Sequence, residues 1–320
     1  MSGQKLGIDG LKIEEAFIAD PGDNQILIDV QAAALNFSDL LMIEDTYQVR
    51  PPRPFTPGQE VAGVVIDAPA ASPWKTGDRI ASKVDWGGFA EQALVRADMA
   101  IRIPDAVDLA IGAALPVVYT TAMVALGECV VVTPNDRVLV HAAAGGIGLA
   151  AVEIAKALGA DVIATAGTKA KLDLARQHGA DVLIDYATDD WVSAVMDATK
   201  GKGANLIVDP VGGRIGELSL KCIARDGTLL IVGFASGQIP RLEAHRLLLK
   251  RAAARGVYWN HDQDGAMLQR VNGRLSEMLD AGRINPLVDR QFGFDDLPAA
   301  LQALQSRRTV GKVVLQVGAK

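Results

Sequence analysis

A glycine-rich turn at residues 142–148 limits the architectures that this chain can adopt. It follows the apolar run VLV at 138–140, contains the letters AAAGGIG, and continues into an alanine-rich segment that ends at Gly159. This order predicts the first strand, turn and helix of a dinucleotide-binding unit. Gly145 would let the backbone approach a pyrophosphate, and Gly148 would let the helix pack closely on its strand. Because Ala143 replaces the usual first glycine, the turn alone is equally typical of an ordinary strand–turn–helix connection.

The next segment indicates which dinucleotide such a unit would bind. The run DVIATA at 161–166 predicts a second buried strand, and Gly167 and Thr168 follow it. An NAD site usually has Asp or Glu about 20 residues beyond the turn, where it binds the ribose 2′-hydroxyl. No carboxylate stands here to repel a 2′-phosphate, and Lys169 and Lys171 could attract one. The sequence therefore predicts NADPH, with a solvated helix start as the alternative for the two lysines.

Composition restricts the class of protein. A length of 320 residues predicts about two domains, and 49% hydrophobic with 22% charged residues is typical of a globular protein. A net charge of −6 argues against a nucleic-acid surface. Two cysteines cannot form a disulfide framework, which indicates a reducing compartment. No apolar run approaches the ~18 residues of a membrane span. We therefore expect a cytoplasmic protein with neither nucleic-acid nor membrane partners.

The pattern along the chain predicts an α/β protein in which one domain is inserted in another. Short apolar runs between Gly and Pro turns in residues 1–112 predict a partly closed β-barrel. Strand–helix alternation in residues 113–255 predicts a doubly wound parallel sheet, with a helix at 215–223 and a strand at 228–232. Residues 256–320 are expected to return to the first domain.

Several separate motifs occur in a fixed order along the chain. They are NFSD at 36–39, PGQEVAGVV at 57–65, GDRI at 77–80, GGFAE at 87–91, AALP at 113–116 and AGGIG at 144–148. Together they resemble the medium-chain dehydrogenase/reductase superfamily, and within it the zinc-free NADPH:quinone oxidoreductase, or zeta-crystallin-like, branch. The resemblance implies a GroES-like barrel domain with an inserted Rossmann domain, and a homodimer or homotetramer.

The same comparison of motifs predicts that the protein has no metal. Zinc-dependent members of the superfamily have Cys where this chain has Asn36 and His where it has Gln59. Amides are poor Zn²⁺ ligands, and the four-cysteine lobe of those members is missing. Without a Lewis acid to polarise an alcohol, alcohol oxidation is not expected.

The resemblance implies hydride transfer from NADPH to a small acceptor, either a quinone or an α,β-unsaturated carbonyl. Two alternatives remain open. One is a 2-enoyl thioester (enoyl-CoA) reductase built on the same fold. The other is a non-enzymatic NADPH-binding protein, as crystallin relatives of this branch are.

The resemblance also implies two catalytic residues, Asn36 and Tyr47, which match polar residues that line the nicotinamide and substrate site. Tyr47 could donate a hydrogen bond to a substrate carbonyl and stabilise the developing oxyanion. A structural alternative exists for each residue. Asn36 could be a turn or capping residue, and Tyr47 could pack beside the prolines that follow it.

On the cofactor side, the resemblance implies contacts from the glycine-rich turn, from a 2′-phosphate pocket and from a loop near the nicotinamide. The predicted cofactor-binding residues are Ala144, Gly145, Gly146, Ile147, Gly148, Gly167, Thr168, Lys171, Tyr186, Phe234 and Arg307. Arg308 could serve in place of Arg307, and Thr120 or Thr121 could approach the nicotinamide. His141, just before the turn, is predicted to be a packed, hydrogen-bonded histidine.

Overall fold

A computed structural model describes residues 7–47, 50–187, 190–306 and 308–318 of the chain. The strands are β1 (Gln25–Ala34), β2 (Glu60–Asp67), β3 (Arg79–Lys83), β4 (Gln92–Arg96), β5 (Ile101–Arg102), β6 (Arg137–Val140), β7 (Asp161–Ala166), β8 (Val182–Asp185), β9 (Ala204–Asp209), β10 (Ile223–Ile231), β11 (Ala253–Gly256), β12 (Val288–Gly293) and β13 (Lys312–Gln316). The α-helices are α1 (Phe37–Ile43), α2 (Leu109–Ala113), α3 (Val118–Met123), α4 (Gly146–Ala157), α5 (Lys169–Gln177), α6 (Trp191–Ala198), α7 (Gly213–Cys222), α8 (Ala244–Lys250), α9 (His261–Asp280) and α10 (Leu297–Gln305). In the part of the chain that is described, no helix is both long and apolar enough to cross a membrane.

The chain forms two compact units. The first comprises Met1–Val117, Gly265–Ala281 and Pro286–Lys320, and the second comprises Val118–Asp264 and Gly282–Asn285.

The boundaries between the units, after Val117 and after Asp264, lie several residues beyond the domain boundaries expected at 112/113 and 255/256. Local contacts explain the difference. The Val117 N–H donates to Glu60 Oε1 at 2.5 Å, which holds residue 117 in the first unit. The Val257 N–H donates to the Ile231 carbonyl at 2.9 Å, which extends the second unit beyond β11. The second limit falls at Asp264, whose φ of −112° interrupts α9.

The first unit is built on a mainly antiparallel sheet in the order β12-β13-β1-β2-β3-β5, with β4 also paired to β1. Side chains of β1 alternate in burial along Gln25–Val30 and are buried on both faces at the end of the strand, as expected where a second layer covers the sheet. The core joins Ile26, Ile28 and Val65 of the sheet with Leu301 of α10.

The second unit contains a parallel sheet in the order β11-β10-β9-β6-β7-β8 within the described residues. Its inner strands are continuous apolar runs because helices cover both faces of the sheet. The order of connection reverses between β6 and β9, and ligands of such sheets bind outside the carboxyl ends of the strands at that point. The predicted α/β class and doubly wound sheet are confirmed.

The boundary predicted near residue 223 is wrong. Helix α7 ends at Cys222, and β10 begins at Ile223 rather than at Thr228. Ile223 is buried and pairs with Ala204 of β9. A β-branched side chain that begins an inner strand of a packed sheet favours the strand conformation over another turn of helix.

Candidate cofactor and acceptor sites

The turn between β6 and α4 is compact enough to require glycine at one position. A Cβ atom added at Gly148 would lie 2.2 Å from the Ala142 carbonyl oxygen and 2.7 Å from Ala143 Cα. Only glycine therefore permits the first turn of α4 to pack on this segment. Ala142 has a φ of 48°, a left-handed conformation that costs a non-glycine residue about 1–2 kcal/mol.

Gly145 differs from Gly148 because packing does not require it. A Cβ atom there would make one ordinary contact, 3.4 Å from the Ala142 carbonyl oxygen, and its φ of −81° suits any residue. Close approach of a ligand to the backbone is a remaining reason for glycine at this place. The first-turn amides of α4, which include Gly146 and Ile147, have no acceptor within the helix, and the helix dipole makes this end attractive to a phosphate.

At the carboxyl end of β7, Gly167 lies against an aromatic ring. A Cβ atom on Gly167 would be 3.1 Å from Cε2 of Tyr186, so a carboxylate side chain at 167 does not fit without displacing the ring. Burial raises the pKa of Tyr186, which keeps its hydroxyl protonated as a hydrogen-bond donor. Thr168 caps α5, since its hydroxyl accepts the Lys171 N–H at 3.4 Å.

The two lysines at the start of α5 have different surroundings. Lys169 Nζ lies 2.6 Å from Asp173 Oδ2, one turn along the helix. Lys171 forms no ion pair with any described residue, although it stands in the first turn of a helix, where the dipole disfavours a cation. Lys171 is therefore the better placed of the two to bind an anionic group.

The described cofactor residues of the sequence prediction gather at one end of the parallel sheet. Residues 144–148 follow β6, Gly167 to Lys171 follow β7, Tyr186 follows β8, and Phe234 follows β10. These are carboxyl ends of strands, where the switch-point rule places a dinucleotide. Phe234 is 44% exposed, and Arg307 lies outside the described residues.

The two threonines of α3, Thr120 and Thr121, differ in the hydrogen bonding of their hydroxyls. The Thr120 hydroxyl is buried without a hydrogen bond to the described residues, whereas the Thr121 hydroxyl accepts the Trp259 Nε1–H at 3.0 Å. Helix α3 continues directly into a π-helix at Val124–Cys129. Such helices are rare and occur frequently at functional sites.

His141 is a buried structural residue, as predicted. Its Nδ1 lies 2.9 Å from Thr165 Oγ1 and its Nε2 lies 3.0 Å from Ser219 Oγ. Because the Ser219 hydroxyl donates its proton to the Ile215 carbonyl at 2.8 Å, Ser219 Oγ accepts the Nε2–H of His141. Burial lowers the pKa of His141 to about 3, so the ring is neutral.

In the first unit, Asn36 belongs to a buried polar network that also contains Glu60 and Lys312. The Asn36 Nδ2–H donates to Glu60 Oε2 at 2.9 Å, and Lys312 Nζ donates to Asn36 Oδ1 at 2.8 Å. Lys312 Nζ also lies 2.6 Å from Glu60 Oε2. Glu60 is fully buried and Lys312 is 5% exposed, so each charge is compensated by its partner rather than by water.

Asp39 places a second carboxyl group beside this network. Its Oδ2 accepts the Asn36 N–H at 2.7 Å, which fixes the start of α1. The pKa of Asp39 is raised to about 7, mainly because of burial and to a smaller extent because of Glu60, while the Asn36 N–H and Lys312 oppose the shift. Sequence analysis missed Lys312. The signal that could have revealed it is a lone cation within the apolar run VGKVVLQV at 310–317.

The network does not fit a zinc ion. The ammonium of Lys312 occupies the oxygens of Asn36 and Glu60 that would face a metal, and Gln59 Oε1 accepts a hydrogen bond from Ser38. A cation at this place excludes a second cation. Across the described ranges, no three His, Cys, Asp or Glu side chains are grouped to hold a metal.

Tyr47 lies just beyond α1, where its N–H donates to the Leu41 carbonyl at 3.2 Å. The same helix end is held by Arg53, whose Nη2 donates to the carbonyls of Met42 and Ile43 at 3.1 and 3.0 Å. The Arg53 guanidinium also lies 5.3 Å from the centre of the Phe55 ring. Sequence analysis missed this contribution of Arg53 to the end of α1.

Comparisons with known proteins agree with both units. A family model described as "Alcohol dehydrogenase GroES-like domain" matches residues 22–105, and one described as "Zinc-binding dehydrogenase" matches residues 146–273. The chain is 35% identical to Quinone oxidoreductase-like protein 2 of Rattus norvegicus, over 96% of this chain and 89% of that protein. It is 31% identical to a quinone oxidoreductase of Pseudomonas aeruginosa, over 93% of this chain and 92% of that protein.

Among solved structures, the fold is similar to that of Escherichia coli quinone oxidoreductase complexed with NADPH. The TM-score is 0.88, with 29% identity over 98% of each chain. The GroES-like and Rossmann-like architecture expected from the motifs is confirmed by these matches. The zinc-binding description of one family model is not matched by the donor set of this chain, in which Lys312 lies beside Asn36 and Glu60. The chain therefore belongs to the quinone oxidoreductase branch of the medium-chain dehydrogenase/reductase superfamily, a family of oxidoreductases.

Proposed function

We propose that this protein is an NADPH-dependent oxidoreductase that reduces a quinone or an α,β-unsaturated carbonyl. The observation that carries the proposal is the surroundings of Gly167. A side chain at this position would have to displace the Tyr186 ring, and Lys171, which has no ion pair among the described residues, stands in the first turn of α5. This arrangement favours a 2′-phosphate over a 2′-hydroxyl.

The residues that would hold NADPH follow the carboxyl ends of the strands. The amides of residues 145–148 would bind the pyrophosphate, Thr168 and Lys171 the 2′-phosphate, and Tyr186 the adenosine ribose. We also propose the predicted cofactor contacts of Phe234 and Arg307. Bound NADPH supplies a hydride, and the chain supplies binding, orientation and exclusion of water. The NADPH complex of the Escherichia coli relative supports this assignment.

The network in the first unit supports the proposed class of acceptor. With Lys312 beside Asn36 and Glu60, these residues provide no Lewis acid for alcohol oxidation, whereas an electron-poor acceptor needs none. We propose that Asn36 and Tyr47 contact the acceptor, and that Tyr47 donates a hydrogen bond to its reduced oxygen. The family resemblance supports a homodimer or homotetramer, and the presence of only two cysteines supports a location in the cytoplasm.

The test is the oxidation of NADPH and NADH with matched 1,4-quinones, enones and enoyl-CoA esters. We expect turnover of quinones or enones, a preference for NADPH, and no effect of a chelator. In Lys171→Ala, KM for NADPH should rise about tenfold or more, because a charge-assisted contact is lost, while KM for NADH should change little. Lys169→Ala is the matched control, since Lys169 is already paired with Asp173.

Other outcomes separate the alternatives. Activity confined to enoyl-CoA esters would identify a thioester reductase. Tight NADPH binding without turnover of any acceptor would identify a crystallin-like binding protein. An equal rise of KM for both cofactors in Lys171→Ala would contradict the proposed 2′-phosphate contact.

A further inference from the structure

A cavity of about 510 Å³ lies at the amino end of the parallel sheet in the second unit. Its wall includes Arg137 at the start of β6, Asn205 in β9 and Arg225 in β10. The cofactor residues follow the carboxyl ends of the same strands. Because β9 has six residues that rise about 3.3 Å each, the two ends are separated by about 17 Å. This cavity is therefore distinct from the cofactor site.

The wall of the cavity is strongly cationic. Arg137, Lys202, Arg225 and Lys250 line it, and no Asp or Glu belongs to the described lining. None of the four forms an ion pair with a described residue, although the chain has a net charge of −6. Four unpaired cations around one cavity repel one another, and this repulsion is relieved when an anion binds.

Two of these cations are partly withdrawn from water. Arg137 Nε is buried and makes no hydrogen bond to the described residues. Lys250 Nζ donates to the carbonyls of Lys221 and Ile223, at 3.1 and 2.5 Å, which leaves one of its three N–H groups unused. Burial without a carboxylate partner lowers the pKa of Lys250. Lys250 therefore retains one N–H donor, and the Arg137 Nε–H is a second donor without a partner among the described residues.

A neighbouring cavity of about 330 Å³ differs because carboxylates belong to its lining. Its charged lining residues are Arg214, Glu217, Lys221, Arg241, Glu243 and Arg246. Glu217 lies 3.5 Å from Arg214 and also accepts the backbone N–H of Arg241, and Glu243 pairs with Arg246. Two of the four cations in this lining therefore have a carboxylate partner in the same wall. The cavity at the amino end of the sheet has no such internal counter-ions.

The remaining lining indicates the class of ligand. Asn205 Oδ1 accepts the Arg137 N–H at 3.1 Å, so the amide N–H groups of Asn205 are left as donors. Met196 and Leu249 add apolar surface to the same wall. We propose that this cavity binds an organic phosphate, with the phosphoryl oxygens at the four cations and the apolar portion against Met196 and Leu249.

The test is calorimetric titration of the NADPH-saturated protein with 2-naphthyl phosphate, beside inorganic phosphate and 2-naphthol. Saturable binding of naphthyl phosphate at one site per chain is expected, with weaker binding of the other two probes. Arg225→Glu, at an exposed position, should weaken binding about tenfold or more, because it removes one charged contact and adds repulsion. Arg214→Glu changes the net charge equally in the neighbouring cavity and should bind within about twofold of the unchanged protein.

Lys202→Glu, also at an exposed position, provides a second variant if Arg225→Glu unfolds. Lys171→Ala should bind naphthyl phosphate as the unchanged protein does, which separates this cavity from the proposed 2′-phosphate pocket. Absence of saturable binding would overturn the proposal. So would binding by Arg225→Glu and Lys202→Glu that is as tight as binding by the unchanged protein. Equal affinities for inorganic phosphate and naphthyl phosphate would contradict the proposed contact of an apolar portion with Met196 and Leu249.

Discussion

At the scale of single residues, Lys312 is the cation that makes the polar interior of the first unit stable. It bridges Asn36 and the fully buried Glu60, and Asp39 stands beside them. Replacing Lys312 by Met would leave the Glu60 carboxylate uncompensated. We expect Lys312→Met to lower the free energy of unfolding by about 3–5 kcal/mol in urea titrations.

The exposed Lys75 provides the matched control, and Lys75→Met should change the free energy of unfolding by less than about 0.5 kcal/mol. Combining Lys312→Met with Glu60→Gln should recover part of the loss, because the uncompensated charge is removed. A loss below about 1 kcal/mol in Lys312→Met would show that the buried pair does not contribute as described.

At the scale of elements, the connection from β6 to α4 uses two glycines for different reasons. The close approach at Gly148 is to backbone atoms that cannot move aside, so Gly148→Ala must displace the start of α4. We expect this overpacking to cost about 1–3 kcal/mol of stability, measured by urea unfolding, and to weaken NADPH binding as well.

Gly145→Ala should behave differently, since the added Cβ meets one ordinary contact at an unstrained φ. We expect its free energy of unfolding to stay within about 0.5 kcal/mol of the unchanged protein. Its NADPH affinity, measured by fluorescence titration, should nevertheless fall, because the methyl group occupies space that the pyrophosphate needs. Equal stability losses in the two variants would refute the distinction between packing and ligand approach.

At the scale of the whole molecule, the two units contain buried groups with opposite responses to pH. Burial raises the pKa of Asp39 in the first unit from 3.8 to about 7. The folded form therefore holds a proton more tightly than the unfolded form, and acidification through this window stabilises the first unit. Burial lowers the pKa of His141 in the second unit from 6.5 to about 3, so acidification below 6.5 destabilises that unit.

Each group contributes a slope of about 1.4 kcal/mol per pH unit within its window. We expect hydrogen–deuterium exchange, corrected for intrinsic rates, to show rising protection of α1 and falling protection of β6 as the pH is lowered from about 7 to 5. In Asp39→Asn the rise in α1 should disappear while the fall in β6 persists. Parallel changes in both elements of the unchanged protein would contradict this assignment.

The local sequence was sufficient to predict those features that are formed by residues close together along the chain. The strand, turn and helix around Gly148 follow from apolar runs and a glycine turn, and the absence of a carboxylate at Gly167 is visible in the letters. The class of fold, the parallel sheet and the packed, hydrogen-bonded His141 were accessible for the same reason. The boundary at Ile223 could not be predicted in this way. The conformation of this single β-branched residue after a helix depends on its pairing with β9.

Interactions between distant residues were decided by the fold alone. Glu60 and Lys312 are 252 positions apart, and no periodicity links them. The cations at Arg137 and Lys250 likewise come together only because the start of β6 and the end of α8 meet at one end of the sheet. Propensity and patterning act over a few residues, whereas burial and charge compensation depend on which segments the folded chain brings into contact.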